Sequence, residues 1–175
     1  MSEIPKQLSH DETKWEQQQH PLIVACDNWH DPLNVGMLFR LAEAYGVEAL
    51  WLGGNTPAPP HRKINKTARS TVRNVTHESI TDLAVALRDA REKGYLLIGV
   101  EITDQSIPIR TYLNQLESQP TVLVLGSENV GISPPILRML DACVHLPMYG
   151  QNTSINVMMA TSIAVENWVS WLREG

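Results

Sequence analysis

Val122-Leu-Val-Leu-Gly-Ser-Glu-Asn-Val-Gly-Ile-Ser133 opens on four consecutive apolar residues, runs into a loop bracketed by Gly126 and Gly131, and is followed by Pro134-Pro-Ile. An apolar run without polar alternation reads as a strand covered on both faces. The prolines after Ser133 are placed to open a helix. Strand, glycine loop and helix in succession form the repeating unit of a parallel sheet.

Read outward from this stretch, the same pattern predicts strands over 22–26, 49–52, 73–76, 96–100, 121–125 and 143–146, and helices over 35–45, 80–93, 134–140 and 155–172. The expected fold class is α/β, a mainly parallel sheet with helices on both faces. Residues 1–21 are polar and read as a mobile arm with one helical turn around Trp15; residues 22–175 read as a single domain. Apolar runs are strand-sized, well short of the roughly 18 residues of a membrane span. The start, Met1-Ser-Glu-Ile-Pro-Lys6, lacks the basic and apolar regions of a signal peptide, so a cytoplasmic location is expected.

Cys26 and Cys143 have no C-x-x-C spacing and read as buried free thiols, and the six histidines form no i,i+3 or i,i+4 pair, so no metal is expected. The net charge of -5 argues against attraction of nucleic acid over the whole surface. One stretch departs from it: His61 to Arg73 holds Arg62, Lys63, Lys66, Arg69 and Arg73 with no acid among them. It reads either as a solvated surface loop or as a contact for an RNA backbone, and its position beside Asn34 to Arg40 favours the RNA contact.

Two helices carry opposite messages. In 80–93, Leu83, Ala86, Leu87 and Ala90 recur at helical spacing opposite Arg88, Asp89 and Glu92, and Gly94 ends an ordinary cover helix. In 155–172, Ile155, Met159 and Ile163 form one apolar line, and Val165, Trp168, Val169, Trp171 and Leu172 a second. One line can pack on the sheet; the other calls for a second subunit. The alternative is that Trp168 and Trp171 simply close the bottom of the core.

Three stretches carry candidate chemistry. In Asp27-Asn-Trp-His-Asp-Pro-Leu-Asn-Val-Gly36, Asn34 reads as a helix N-cap, and Arg40 follows among apolar neighbours, with Glu43 a possible partner. In the second stretch, Gly126 and Gly131 let backbone approach a ligand at a strand's carboxyl end, with Glu128 between them. In Leu146-Pro-Met-Tyr-Gly-Gln-Asn-Thr-Ser-Ile-Asn156, Pro147 and Gly150 turn the chain, and Ser154 and Asn156 precede a helix; capping accounts for one of them but not both. No G-x-G-x-x-G and no acid about 20 residues beyond it mark a dinucleotide site.

Taken in order, Asn34-Val-Gly-Met-Leu-Phe-Arg40, Leu125-Gly-Ser-Glu-Asn-Val-Gly131 and Leu146 to Asn156 resemble the SpoU (TrmH) branch of the SPOUT RNA methyltransferases, over about residues 22–171. The resemblance implies transfer of a methyl group from S-adenosylmethionine to a ribose 2'-hydroxyl of RNA. The small size of the single expected domain suits a compact substrate, so tRNA is expected over rRNA. The resemblance also implies a deep carboxyl-terminal trefoil knot and a homodimer. It assigns Asn34, Arg40, Glu128, Ser154 and Asn156 to catalysis. Val100, Ile102, Leu125, Gly126, Gly131, Leu146, Met148, Ser154 and Ile155 are assigned to the cofactor. Departures are modest: Ile155 stands for the usual Leu, and Met158-Met159 for small or β-branched residues. The alternative is a non-catalytic RNA-binding member of the same fold, which would not require the five catalytic positions together.

Overall fold

The computed structural model describes residues 4–9, 12–13, 15–151 and 154–174. Seven strands, β1 (His20–Asp27), β2 (Val47–Gly53), β3 (His77–Ile80), β4 (Leu96–Val100), β5 (Ile107–Pro108), β6 (Thr121–Leu125) and β7 (Ala142–His145), form one sheet in the order β3-β2-β1-β6-β4-β7-β5. Every pairing is parallel. β4 and β6 match the predicted ranges to the residue. β1 begins two residues before the predicted strand, because His20 N–H is already held by Gly46 C=O at 2.8 Å.

Alternate residues of the central strands feed two cores. Leu22, Val24, Cys26, Leu123 and Leu125 face the helices α1 (Pro32–Ala44), α2 (Arg62–Ala68), α4 (Ile109–Leu113) and α6 (Val157–Glu174). Ile23, Ala25, Val122 and Val124 face α3 (Leu83–Glu92) and α5 (Pro134–Leu137). This two-sided burial is why the strands read as continuous apolar runs.

Several expectations are corrected. Residues 73–76 are no strand; 71–73 form a 3-10 turn, Val75 is a buried plug, and β3 follows four residues late. As an edge strand with no fully buried residue, β3 carries no apolar pattern. The cover helix starts at Leu83 rather than 80, where the Asp82 carboxylate accepts from Val85 N–H and caps it. The basic stretch is a helix, α2, through residue 68, and α4 and β5 are elements that the pattern did not predict. Residues 15–19 are irregular rather than helical, and Trp15 is 85% exposed; His10, Asp11 and Lys14 of the arm lie outside the described residues. Cys26 is fully buried, whereas Cys143 is only half-buried; both are free.

On α6 the two apolar lines separate as predicted. Val165, Trp168 and Val169 are in the core, and Trp171 packs edge-on against Trp168. Ile155, Met159 and Ile163 remain exposed, Met159 at 61%. Among the described residues no helix is long and apolar enough to cross a membrane.

Candidate active site

The order in which strands are added reverses between β1 and β6: from β1 the chain builds outward through β2 and β3, then returns to β4 on the far side. The carboxyl ends of strands at such a reversal form the crevice where open α/β sheets bind ligands. Here it is closely braced. The Asp27 carboxylate, 3% exposed, accepts from Ser133 N–H at 2.7 Å and from the Asn28 side-chain amide at 2.8 Å. Trp29, fully buried, donates its ring N–H to Leu125 C=O at 3.1 Å.

Asn34 is not the helix N-cap. Asp31 takes that position, accepting from Leu33 N–H at 2.8 Å, with Pro32 opening α1. The buried Asn34 amide is thereby free to donate to Glu128 Oε1 at 2.7 Å. Glu128 Oε2 accepts from His30 N–H at 3.3 Å, and its side chain is 23% exposed. Burial pushes this carboxyl up, but hydrogen bonds from its own N–H, Asn34, His30 and Asp31 outweigh it and hold it below the usual carboxylate range. The site therefore presents an ionised, oriented acceptor at neutral pH. Burial first and the Glu128 charge second push the Cys26 thiol well up, so it is no nucleophile.

Gly36 serves packing. A Cβ there would stand 2.7 Å from Thr67 Cβ and 2.9 Å from Ile64 O, so α2 lies directly on α1, two residues from Asn34. Arg62, Lys63, Lys66, Arg69 and Arg73 are all exposed and have no ion-pair partner among the described residues.

Arg40 is not brought to the Asn34–Glu128 pair. It is exposed, at i+7 and i+3 from the exposed Leu33 and Met37 on α1's outward stripe, and has no hydrogen-bond or ion-pair partner among the described residues. Glu43 does not hold it; that carboxylate accepts from the Asn74 amide at 2.9 Å.

Beside the reversal, a pocket of about 110 Å³ opens at the ends of β4 and β7. Of the residues assigned to the cofactor, Val100, Ile102, Leu146, Met148, Ser154 and Ile155 line it. Leu125, Gly126 and Gly131 do not: the Leu125 carbonyl is taken by Trp29, and Gly126 lies beneath the backbone of Gly131 and Ile132. Asn156 turns out to be the cap of α6, its side chain accepting from Met158 N–H at 2.8 Å, while Ser154 is left in the pocket wall. Asn152 and Thr153 lie outside the described residues.

Sequence reasoning missed Glu101 and His145, which also line the pocket, and the bracing by Asp27 and Trp29. The available signal was position, since Asp27, Glu101 and His145 stand at or just beyond strand ends. The walls are mainly apolar, and the peptide N–H and C=O groups of Leu146 and Met148 have no partner among the described residues. Apolar walls with free peptide groups fit a flat heteroaromatic base joined to an alkyl chain.

A wholly parallel seven-stranded α/β sheet, with polar side chains gathered where its strand order reverses, defines the class of open α/β folds. The chain belongs to the SpoU rRNA methylase family, whose model matches residues 21–166. It is 30% identical to a 23S rRNA (guanosine-2'-O-)-methyltransferase of Pseudomonas aeruginosa, covering 83% of this chain and 57% of that one. It is also 30% identical to a tRNA (guanosine(18)-2'-O)-methyltransferase of Aquifex aeolicus, covering 85% and 68%. Among solved structures, the A. aeolicus TrmH/SpoU tRNA modifying enzyme superposes with a TM-score of 0.79 at 26% identity, covering 91% of this chain and 79% of that one. The chain spans little more than half the length of the first curated relatives it matches.

Proposed function

We propose that this chain methylates a ribose 2'-hydroxyl of RNA, using S-adenosylmethionine. The observation that carries the reading is the ionised Glu128, oriented by Asn34 beside an apolar pocket with free peptide groups. When bound, S-adenosylmethionine supplies an electrophilic methyl group on a sulfonium sulfur. Val100, Ile102, Leu146, Met148, Ser154 and Ile155 would hold it, with the Leu146 and Met148 peptide groups as partners for the polar edge of the base. Glu128 accepts hydrogen bonds from the acceptor nucleotide, and Asn34 fixes its rotamer. Much of the barrier is removed by such positioning, on the order of 7 kcal/mol in favourable cases.

Arg40 remains a guanidinium at neutral pH and is a poor proton acceptor. Its role is to clamp the phosphate next to the 2'-oxygen and to stabilise the charge developing there, while the proton leaves to phosphate or water. Leu33 and Met37 beside it, Ile155 just before α6, and Met159 and Ile163 on α6 leave apolar surface for a second copy, which supports a homodimer with Arg40 at the interface. The five cations of α2 and the residues after it hold the RNA backbone. Membership of the SpoU rRNA methylase family is what supports a knotted carboxyl-terminal half. Residues 22–175 act as one domain, residues 1–21 as its arm, and the setting is the cytoplasm. Relatives at 30% identity are named for tRNA and for rRNA alike, and tRNA is the substrate proposed here.

The test maps 2'-O-methyl nucleotides in total RNA with and without the gene. A site lost on deletion, restored by the parent and not by Arg40→Ala, with the variant still binding S-adenosylhomocysteine in calorimetry, is the expected outcome. No binding of that product by the parent overturns the reading.

A further inference from the structure

The loop that carries Glu128 closes on itself. Ser127 N–H donates to Gly131 C=O at 3.1 Å, and Gly131 N–H donates to Ser127 C=O at 2.9 Å. The next residue, Ile132, is buried, and its N–H donates to Glu101 Oε2 at 3.1 Å. The other oxygen, Oε1, accepts from Ile102 N–H at 3.0 Å, and the Glu101 backbone N–H donates to Val144 C=O at 2.9 Å. Glu101 and Ile102 both line the pocket at the ends of β4 and β7. The fit is tight from the loop side too. Gly131 has φ +74, and a Cβ there would stand 2.5 Å from Glu101 Oε2.

One carboxylate thus joins the pocket wall to the base of the Glu128 loop. Both of its oxygens are engaged by backbone N–H groups, so its work is internal to the protein. Only a carboxylate satisfies both donors at once; an amide in its place offers one acceptor and turns an N–H toward the other.

We infer that Glu101 is a positioning residue that couples the two halves of the site: through Ile132 it holds the Glu128 loop in register with the donor pocket, so that filling the pocket tightens the loop. This rests on the methyl-transfer reading. Because coupling between two binding events is reciprocal, RNA in turn strengthens donor binding.

The test compares the full chain with Glu101→Ala, Glu101→Gln and Gly131→Ala, the last of which attacks the same contact from the loop. S-adenosylhomocysteine is the probe, read by calorimetry and by amide hydrogen exchange over residues 127–133. Methylation is followed on bulk tRNA and rRNA from a strain lacking the gene. In the parent, the probe slows exchange of the loop. In Glu101→Ala, probe affinity stays close to the parent's, the probe no longer slows the loop, and kcat falls about ten- to a hundredfold, the value of a hydrogen bond to a charged group. Gln recovers part of the loss, and Gly131→Ala reproduces it. The inference is overturned if Glu101→Ala keeps the parent's kcat and loop protection. It is equally overturned if probe affinity and kcat fall by the same factor, which makes Glu101 mere pocket wall. If the parent itself fails to bind the probe, it is the methyl-transfer reading that fails.

Discussion

Gly126→Ala is the sharpest test of how β6 meets the loop beyond it. A Cβ at this position would lie 2.0 Å from both Gly131 C and Ile132 N, and both neighbours are backbone. Ordinary carbon contacts sit near 3.5 Å, so roughly 1.5 Å must open. Overpacking of that kind costs about 1–3 kcal/mol. Moving Ile132 also breaks its hydrogen bond to the Glu101 carboxylate, which adds about 1.5–3 kcal/mol. The sum is about 2.5–6 kcal/mol, or roughly 5–24 °C in melting temperature for a chain of this size. Gly150→Ala is the matched control: nothing lies within 4 Å of its Cβ position, and its change stays within about 0.5 kcal/mol. Calorimetric or fluorescence melting of parent and both variants is the assay. A Gly126→Ala midpoint within about 2 °C of the parent, well below this range, would refute the close approach.

Other outcomes follow from the same contacts. Glu128 is held below the usual carboxylate range, so its contribution to stability is present above the unfolded value of about 4.3 and is lost as pH falls through the lower folded value. Asn34→Ala should raise the Glu128 pKa, shrink that acid-side loss in urea unfolding, and cost about 1.5 kcal/mol near neutrality; an unchanged Glu128 titration would contradict the pairing. Lys66→Ala should weaken RNA binding and lower the slope of log affinity against log salt by about 0.7–0.9; an unchanged slope removes Lys66 from the RNA surface. Met159→Asp should convert a dimer to a monomer by sedimentation while leaving the melting temperature near the parent's, and a parent already monomeric excludes the dimer.

Legibility followed burial. Residues 96–100 and 121–125 were readable to the residue because both are continuous apolar runs with buried centres, the second bounded by Pro120 and Gly126. β3, β5 and α4 were not, being two to five residues long at the margins of the sheet. α2 escaped because only Ile64 and Ala68 turn inward, too few to show a period amid three cations. At the site, Asn34 and Glu128 were each recognisable, but the bond between them spans 94 positions. Asp27 and Glu101 showed only their place at strand ends, and neither they nor Trp29 showed a partner, since Ser133, Ile132 and Leu125 lie 106, 31 and 96 residues away. Arg40 was legible as a candidate and remains apart from the pair.

The position of β6 has a consequence for synthesis on the ribosome. β1 and β4 flank a gap that only residues 121–125 can fill, and those residues emerge after both neighbours. A nascent chain can shape β1, β2 and β3 with α1 early, yet its centre stays open until residues 121–125 have been made. Pairing of such sequence separation is slow. The Asn34–Glu128 pair therefore forms only in a late step, and a prematurely terminated product holds Asn34 without the carboxylate it orients.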